Sequence, residues 1–124
     1  MSRTSERGAV ALEFALLAPV LVMLLLGIME FGRAYNVQVS LSSAAREGVR
    51  VMAINNNPAA ARTAVKNASP QLQPALTDAN ITVTPSPCTA GAQVTVTISY
   101  TLSTMTGIAG PFPMSGKGVM LCGG

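Results

Sequence analysis

From Ala9 to Met29 the chain runs AVALEFALLAPVLVMLLLGIM, with Glu13 as its only charge. As a helix rising 1.5 Å per residue this stretch is roughly 30 Å long, the thickness of a bilayer's hydrocarbon core. A removable secretory signal has a shorter apolar region, about 7–15 residues, closed by a small-residue cleavage site. Here Met29-Glu30-Phe31-Gly32-Arg33 follows without an A-x-A pattern, so the run reads as a membrane span. No second stretch of this kind follows, and a single crossing is expected. Arg3 and Arg7, offset by Glu6, precede the span, while Glu30 and Arg33 cancel beyond it. The positive-inside bias directs the N-terminus to the cytoplasm and residues 30–124 outward, into a compartment that permits disulfides. The expected layout is a cytoplasmic leader (1–8), a transmembrane helix (9–29), an extracytoplasmic helix extension (30–54) and a small extracytoplasmic α+β domain (55–124).

Composition narrows the chemistry. Charged residues make up 10% of the 124, the formal charge is +3, and histidine is absent. No basic stretch is dense enough for a nucleic-acid footprint. Without histidine, Ser-His-Asp and Cys-His catalysis and every His-containing zinc site drop out. Two cysteines are too few for a Cys-only zinc site. Glu30, Glu47 and Asp78 lie far apart in sequence and offer no paired carboxylates. Gly116, Gly118, Gly123 and Gly124 do not form a phosphate loop opening a helix, and Lys117 among them has no Walker context. The expectation is a non-enzymatic protein with no cofactor, no metal and no small-molecule substrate.

Beyond the span, apolar or small residues recur at Phe31, Ala34, Val37, Leu41, Ala45, Gly48 and Met52, one face at 3.6 residues per turn. Arg33, Asn36, Ser40, Ser43, Glu47 and Arg50 take the other side. The spacing predicts one helix of roughly 45 residues, half in lipid and half amphipathic, kinked locally at Pro19 and ended by Asn55-Asn56-Asn57-Pro58. Asn57 caps a second helix over Ala59–Asn67, with Pro58 at its first position. That helix presents Ala61, Ala64, Val65 and Ala68. Gln71–Ala79 reads as a connector. Then the period becomes two: Ile81 and Val83 alternate with threonines, and Val94, Val96, Ile98, Tyr100 and Leu102 alternate with Thr95, Thr97, Ser99 and Thr101. Ser103–Ser115, rich in Gly and Pro, reads as a loop, and Val119–Cys122 as a last strand. The fold class is α+β, with a long N-terminal helix packed on a small antiparallel sheet.

Glu13 is costly in hydrocarbon, and its setting is informative. Gly8, a small residue at a turn, precedes four apolar residues, then Glu13 and Phe14. Cleavage after Gly8 would free an α-amine on Ala9 and place Glu13 fifth, where one subunit's carboxylate can serve its neighbour's amine. Gly8 followed by AVALEF resembles the processing site of type IV prepilins and pseudopilins. The wider block RGAVALEFALLAPVLVMLLLGIMEFGRAY, followed by SLSSAAREGVRVM, resembles the TadE-like family of the tight-adherence (Tad) pilus system. The resemblance covers residues 7–52. It rests on Glu13-Phe14, Pro19, Gly27, Glu30-Phe31-Gly32-Arg33 and the run Ala44-Ala45-Arg46-Glu47-Gly48-Val49-Arg50. The later half matches only in shape.

The resemblance implies a pseudopilin or minor pilin of pilin-like fold, taking part in assembly of Tad (type IVc) adhesive pili. It implies processing by a prepilin peptidase at Gly8, Ala9, Glu13 and Phe14. The implied partners are the bacterial inner membrane, that peptidase, other pilins or pseudopilins and the Tad machinery. Two alternatives stand beside it: an uncleaved single-pass assembly factor, and an unrelated membrane-anchored envelope enzyme or binding module. Ala44, Ala45 and Gly48 would let another element approach closely, while Arg46, Glu47 and Arg50 share a solvated edge, so this motif is assigned to docking of the domain or a partner subunit. Cys88 and Cys122 are both extracytoplasmic and each lies beside a strand. Their expected state is one disulfide, the alternative being two free thiols packed in a core.

Overall fold

The computed structural model describes residues 2–72, 74–105, 107 and 110–123, the first three by backbone alone. The connector at Gln73, the loop at Thr106, Ile108 and Ala109, and the terminal Met1 and Gly124 lie outside the described residues. The elements are α1 (Ser2–Asn55), α2 (Pro58–Ala68), a 3-10 turn (Asp78–Asn80), β1 (Ile81–Thr84), β2 (Gln93–Leu102) and β3 (Phe112–Leu121). Contacts divide the chain into two units, Met1–Arg33 and Ala34–Gly124.

In the first unit, α1 carries the apolar run, largely bare among the described residues. From Ser5 to Met29 every side chain is exposed except Ala18 and Leu26, which are half-buried. Gly8 is helical, which corrects its expected role as a turn residue. The residues before it, Ser5-Glu6-Arg7, contain neither Pro nor Gly to stop the helix from beginning earlier.

The second unit is built on the rest of α1 and one antiparallel sheet of order β1-β2-β3. Val37, Leu41, Ala44, Ala45, Val49, Met52 and Ala53 of α1 are buried together with Val94, Val96, Ile98, Tyr100 and Leu102 of β2. The strand alternation thus puts its apolar residues under the helix and its Thr and Ser residues outside. Phe31 does not join this core. It is 82% exposed and belongs to the first unit, so the helical period continues beyond the residues that form the core.

α2 is fixed at both ends. Asn57 Oδ1 accepts from Ala59 N at 3.0 Å and Ala60 N at 3.2 Å, the expected N-cap, and Pro58 occupies the first turn. Ser69 Oγ donates to Val65 O at 3.0 Å. Ala61 and Val65 are buried, but Ala68 is exposed and drops out of the expected face. α1 ends where Asn56 turns into the left-handed region at φ 50°, a conformation Asn tolerates at a helix C-terminus.

β3 is the main departure from the sequence reading. It is a strand of ten residues, not a loop to Ser115 followed by a short strand from Val119. Its register sets Gly118 opposite Val96, Gly116 opposite Ile98 and Met114 opposite Tyr100. The two glycines have a packing reason. A Cβ on Gly116 would lie 2.5 Å from Leu41 O, and one on Gly118 would lie 2.7 Å from Ala45 O. The backbone of α1 therefore rests directly on the backbone of β3, and only glycine permits that approach. Pro113 is tolerated because β3 is an edge strand.

The far end of the domain is closed by a clasp. Cys88 and Cys122 form the disulfide, with their Cα atoms 5.7 Å apart, inside the usual range. Beside it, Cys88 N donates to Asn56 Oδ1 at 2.7 Å, and Gly123 N donates to Ala53 O at 3.1 Å. The end of α1, the β1–β2 connection and the C-terminal residues are thus tied at one point. The Gly123 bond also supplies a partner for one of the carbonyls that a helix end leaves open.

Candidate functional site

Two groups of residues carry the functional expectations, and each lies inside one unit. The first is Gly8, Ala9, Glu13 and Phe14, all within α1 and all exposed. A Cβ built on Gly8 meets nothing within 4 Å, so the glycine is not required by packing inside this chain. Phe14 is 68% exposed. At 3.6 residues per turn Phe14 sits one turn beyond Val10, and Glu13 falls on a neighbouring line of the same bare helix. Because Gly8 is helical, a protease acting after it would have to unwind the helix locally.

The second group is the Ala44–Arg50 motif, and the structure divides it in two. Ala44, Ala45 and Gly48 are buried. A Cβ on Gly48 would overlap the Val65 side chain and sit 3.5 Å from Val96 Cγ1, so at this glycine α1, α2 and β2 meet. Arg46 and Arg50 are exposed and Glu47 is half-buried. Arg50 Nη1 and Glu47 Oε2 are 3.7 Å apart, a solvated pair of small energetic worth. The small residues dock this chain's own domain, and the charged ones face outward.

The remaining polar contacts fasten the domain together. Gln38 Nε2 donates to Ser115 O at 2.8 Å, Gln71 Nε2 to Ser40 Oγ at 2.9 Å and Tyr100 Oη to Pro74 O at 2.9 Å. Asn80 Oδ1 accepts from Thr77 N, and Asn80 Nδ2 donates to Ser99 O at 3.0 Å. Lys66 Nζ lies 2.7 Å from Asp78 Oδ1. That hydrogen bond, and then the lysine's charge, hold the Asp78 carboxyl below its ordinary value. Among the described residues no group of three or more His, Cys, Asp or Glu side chains gathers.

Sequence reasoning missed two features of these surfaces. One is the Gly116 and Gly118 contact with α1, for which the period-two run Met114-x-Gly116-x-Gly118-x-Met120 was an available signal. The other is the burial of Glu30, only 8% exposed, which neither charge counting nor the family resemblance indicates.

Fold and residues together define a class: an α+β protein whose N-terminal helix is long and apolar enough to cross a membrane once. Within it, the segment is specific. A family model described as TadE-like protein matches residues 8–50, from the expected processing glycine to the end of the Ala44–Arg50 motif. This matches the family that the sequence resembles, and it points to a function related to the Tad pilus and to association with a membrane. No curated protein and no solved structure matches the chain.

Proposed function

We propose that this protein is a pseudopilin or minor pilin that takes part in assembly of Tad adhesive pili and catalyses no reaction. The observation that carries the reading is a coincidence of position. The TadE-like match over residues 8–50 begins at Gly8 and takes in the whole apolar run whose side chains the rest of the chain leaves exposed. A helix of that kind needs lipid before assembly and other helices after it. In this reading the N-terminus is cytoplasmic, a prepilin peptidase cuts after Gly8, and residues 34–124 fold outside the inner membrane. The new amine of Ala9 and the Glu13 carboxylate then offer complementary charges to neighbouring subunits.

One observation favours a second reading, an uncleaved single-pass assembly factor: Gly8 lies inside a continuous helix, not in an extended segment ready for a protease. Mass spectrometry of the N-terminus separates the two, applied to protein from sheared pili and from membranes. The pilin reading expects Ala9 as the first residue and some of the protein in the sheared fraction. A working protein that starts at Met1 or Ser2 and stays in the membrane overturns it in favour of the assembly factor.

A further inference from the structure

We infer that before any processing the helix sits in the bilayer between Phe14 and Phe31, not between Ala9 and Met29, so that Glu13 lies at the cytoplasmic headgroup level. The inference rests on the membrane reading above and fixes the depth of the helix within it. Hydropathy alone centres the span on Ala9–Met29, and that placement puts Glu13 inside the hydrocarbon. Glu13 is exposed, so in that placement its carboxylate would face lipid chains directly. The other acid near the span behaves differently. Glu30 is 8% exposed, so the protein itself screens it from the surroundings. Moving the helix by five residues at the inner end exchanges a bare acid for a screened one, and the expense of an ionisable group in lipid falls accordingly.

The length of the helix fits the same boundaries. Phe14 and Phe31 are 68% and 82% exposed, and the residues between them include no charge other than Glu30. On a helix they are about 26 Å apart along the axis. That is a few Å short of a hydrocarbon core of about 30 Å, a mismatch that local thinning and flanking side chains absorb. Tyr rings, with an apolar body and a polar tip, concentrate at membrane–water interfaces, and the exposed Tyr35 follows Phe31 four residues on, at the outer headgroup level. At the inner end Glu6 and Arg7 join Glu13 among the headgroups.

The chain contains no tryptophan, so a single introduced one reports depth without background. Phe14→Trp, Met23→Trp and Phe31→Trp, made separately in the full unprocessed chain and reconstituted in phosphatidylcholine vesicles, are read by quenching with lipids brominated at defined acyl positions. The expected result is deepest quenching at position 23 and shallow, matched quenching at positions 14 and 31. Phe14→Trp quenched as deeply as Met23→Trp, with Phe31→Trp emitting as if in water, overturns the depth assignment while leaving the membrane reading intact. No acyl-chain quenching at position 23 overturns the membrane reading, and the depth assignment with it.

Discussion

The two stretches of α1 belong to one continuous helix, the first apolar all round and the second amphipathic, and they meet opposite fates. Leu16, Leu17, Leu21, Leu24 and Leu25 are exposed, whereas Leu41 and Met52, on the same helix, are wholly buried. Helix propensity does not distinguish them, since both stretches are helical. What differs is what the rest of the chain brings to each. Ala34–Asn55 receives a sheet whose glycines let the helix backbone settle on it, and small residues spaced to accept α2. Ser5–Met29 stays exposed apart from the half-buried Ala18 and Leu26. The same hydrophobic drive that assembles a core in the second stretch has to be met by lipid or by other helices in the first.

Matched substitutions along α1 turn this contrast into numbers. Leu41→Ala removes a fully buried side chain and is expected to cost the domain about 2–5 kcal/mol, while Leu21→Ala leaves its stability unchanged. Urea titration of the full chain in detergent micelles, followed by circular dichroism, checks both. Removing the clasp comes next. Replacing Cys88 and Cys122 together by serine is expected to cost about 3–4 kcal/mol on the chain-entropy model, given the sequence separation of 34. The same titration reads it, with the wild type kept free of reductant.

A glycine pair is smaller in effect and sharper in meaning. Gly116→Ala puts a Cβ against Leu41 O, and the strain of prising β3 from α1 is expected to cost about 1–3 kcal/mol. Gly27→Ala meets open space and should leave the domain unaffected. Equal losses from the two would erase the difference between the stretches.

The smallest effect is electrostatic. The Asp78 carboxyl is held below its ordinary value by the Lys66 hydrogen bond first and its charge second, with desolvation opposing and Arg62 adding a lesser pull. A lowered folded value means the contribution is complete above the ordinary carboxylate range and fades as pH falls through the lowered value. The pair is exposed, so the change is slight. Asp78→Asn should flatten the acid end of the stability profile and alter little at neutral pH.

Legibility in the sequence followed how local each cause is. The Asn57 cap, Pro58 in the first turn and the alternation of β2 are decided by neighbours a few residues away, and they were readable. The first part of β3 was not, because Pro111, Pro113, Gly116 and Gly118 carry turn-like composition. The reason for the glycines is the approach of Leu41 and Ala45, more than 70 residues earlier in the chain. The 3.6 period alone puts Phe31 on the buried face, and periodicity does not say where the core ends. Gly8 read as a turn because glycine often is one, but nothing around it interrupts the helix. For the candidate site, the small residues Ala44, Ala45 and Gly48 were legible as a place of close approach. That they dock on their own domain became visible only once Val65 and Val96 were placed.

In the proposed function, lipid holds the first stretch of α1 and the chain's own sheet holds the second. Hydrogen exchange of the full chain in phospholipid vesicles, across a urea series, tests it most directly. The account predicts that amides of Val37–Asn55 and of β2 and β3 lose protection together as the domain unfolds, while Leu16–Met29 stays protected at the same urea concentrations. Loss of protection in both stretches at one urea concentration would contradict it, because the apolar run would then depend on the domain and not on the membrane.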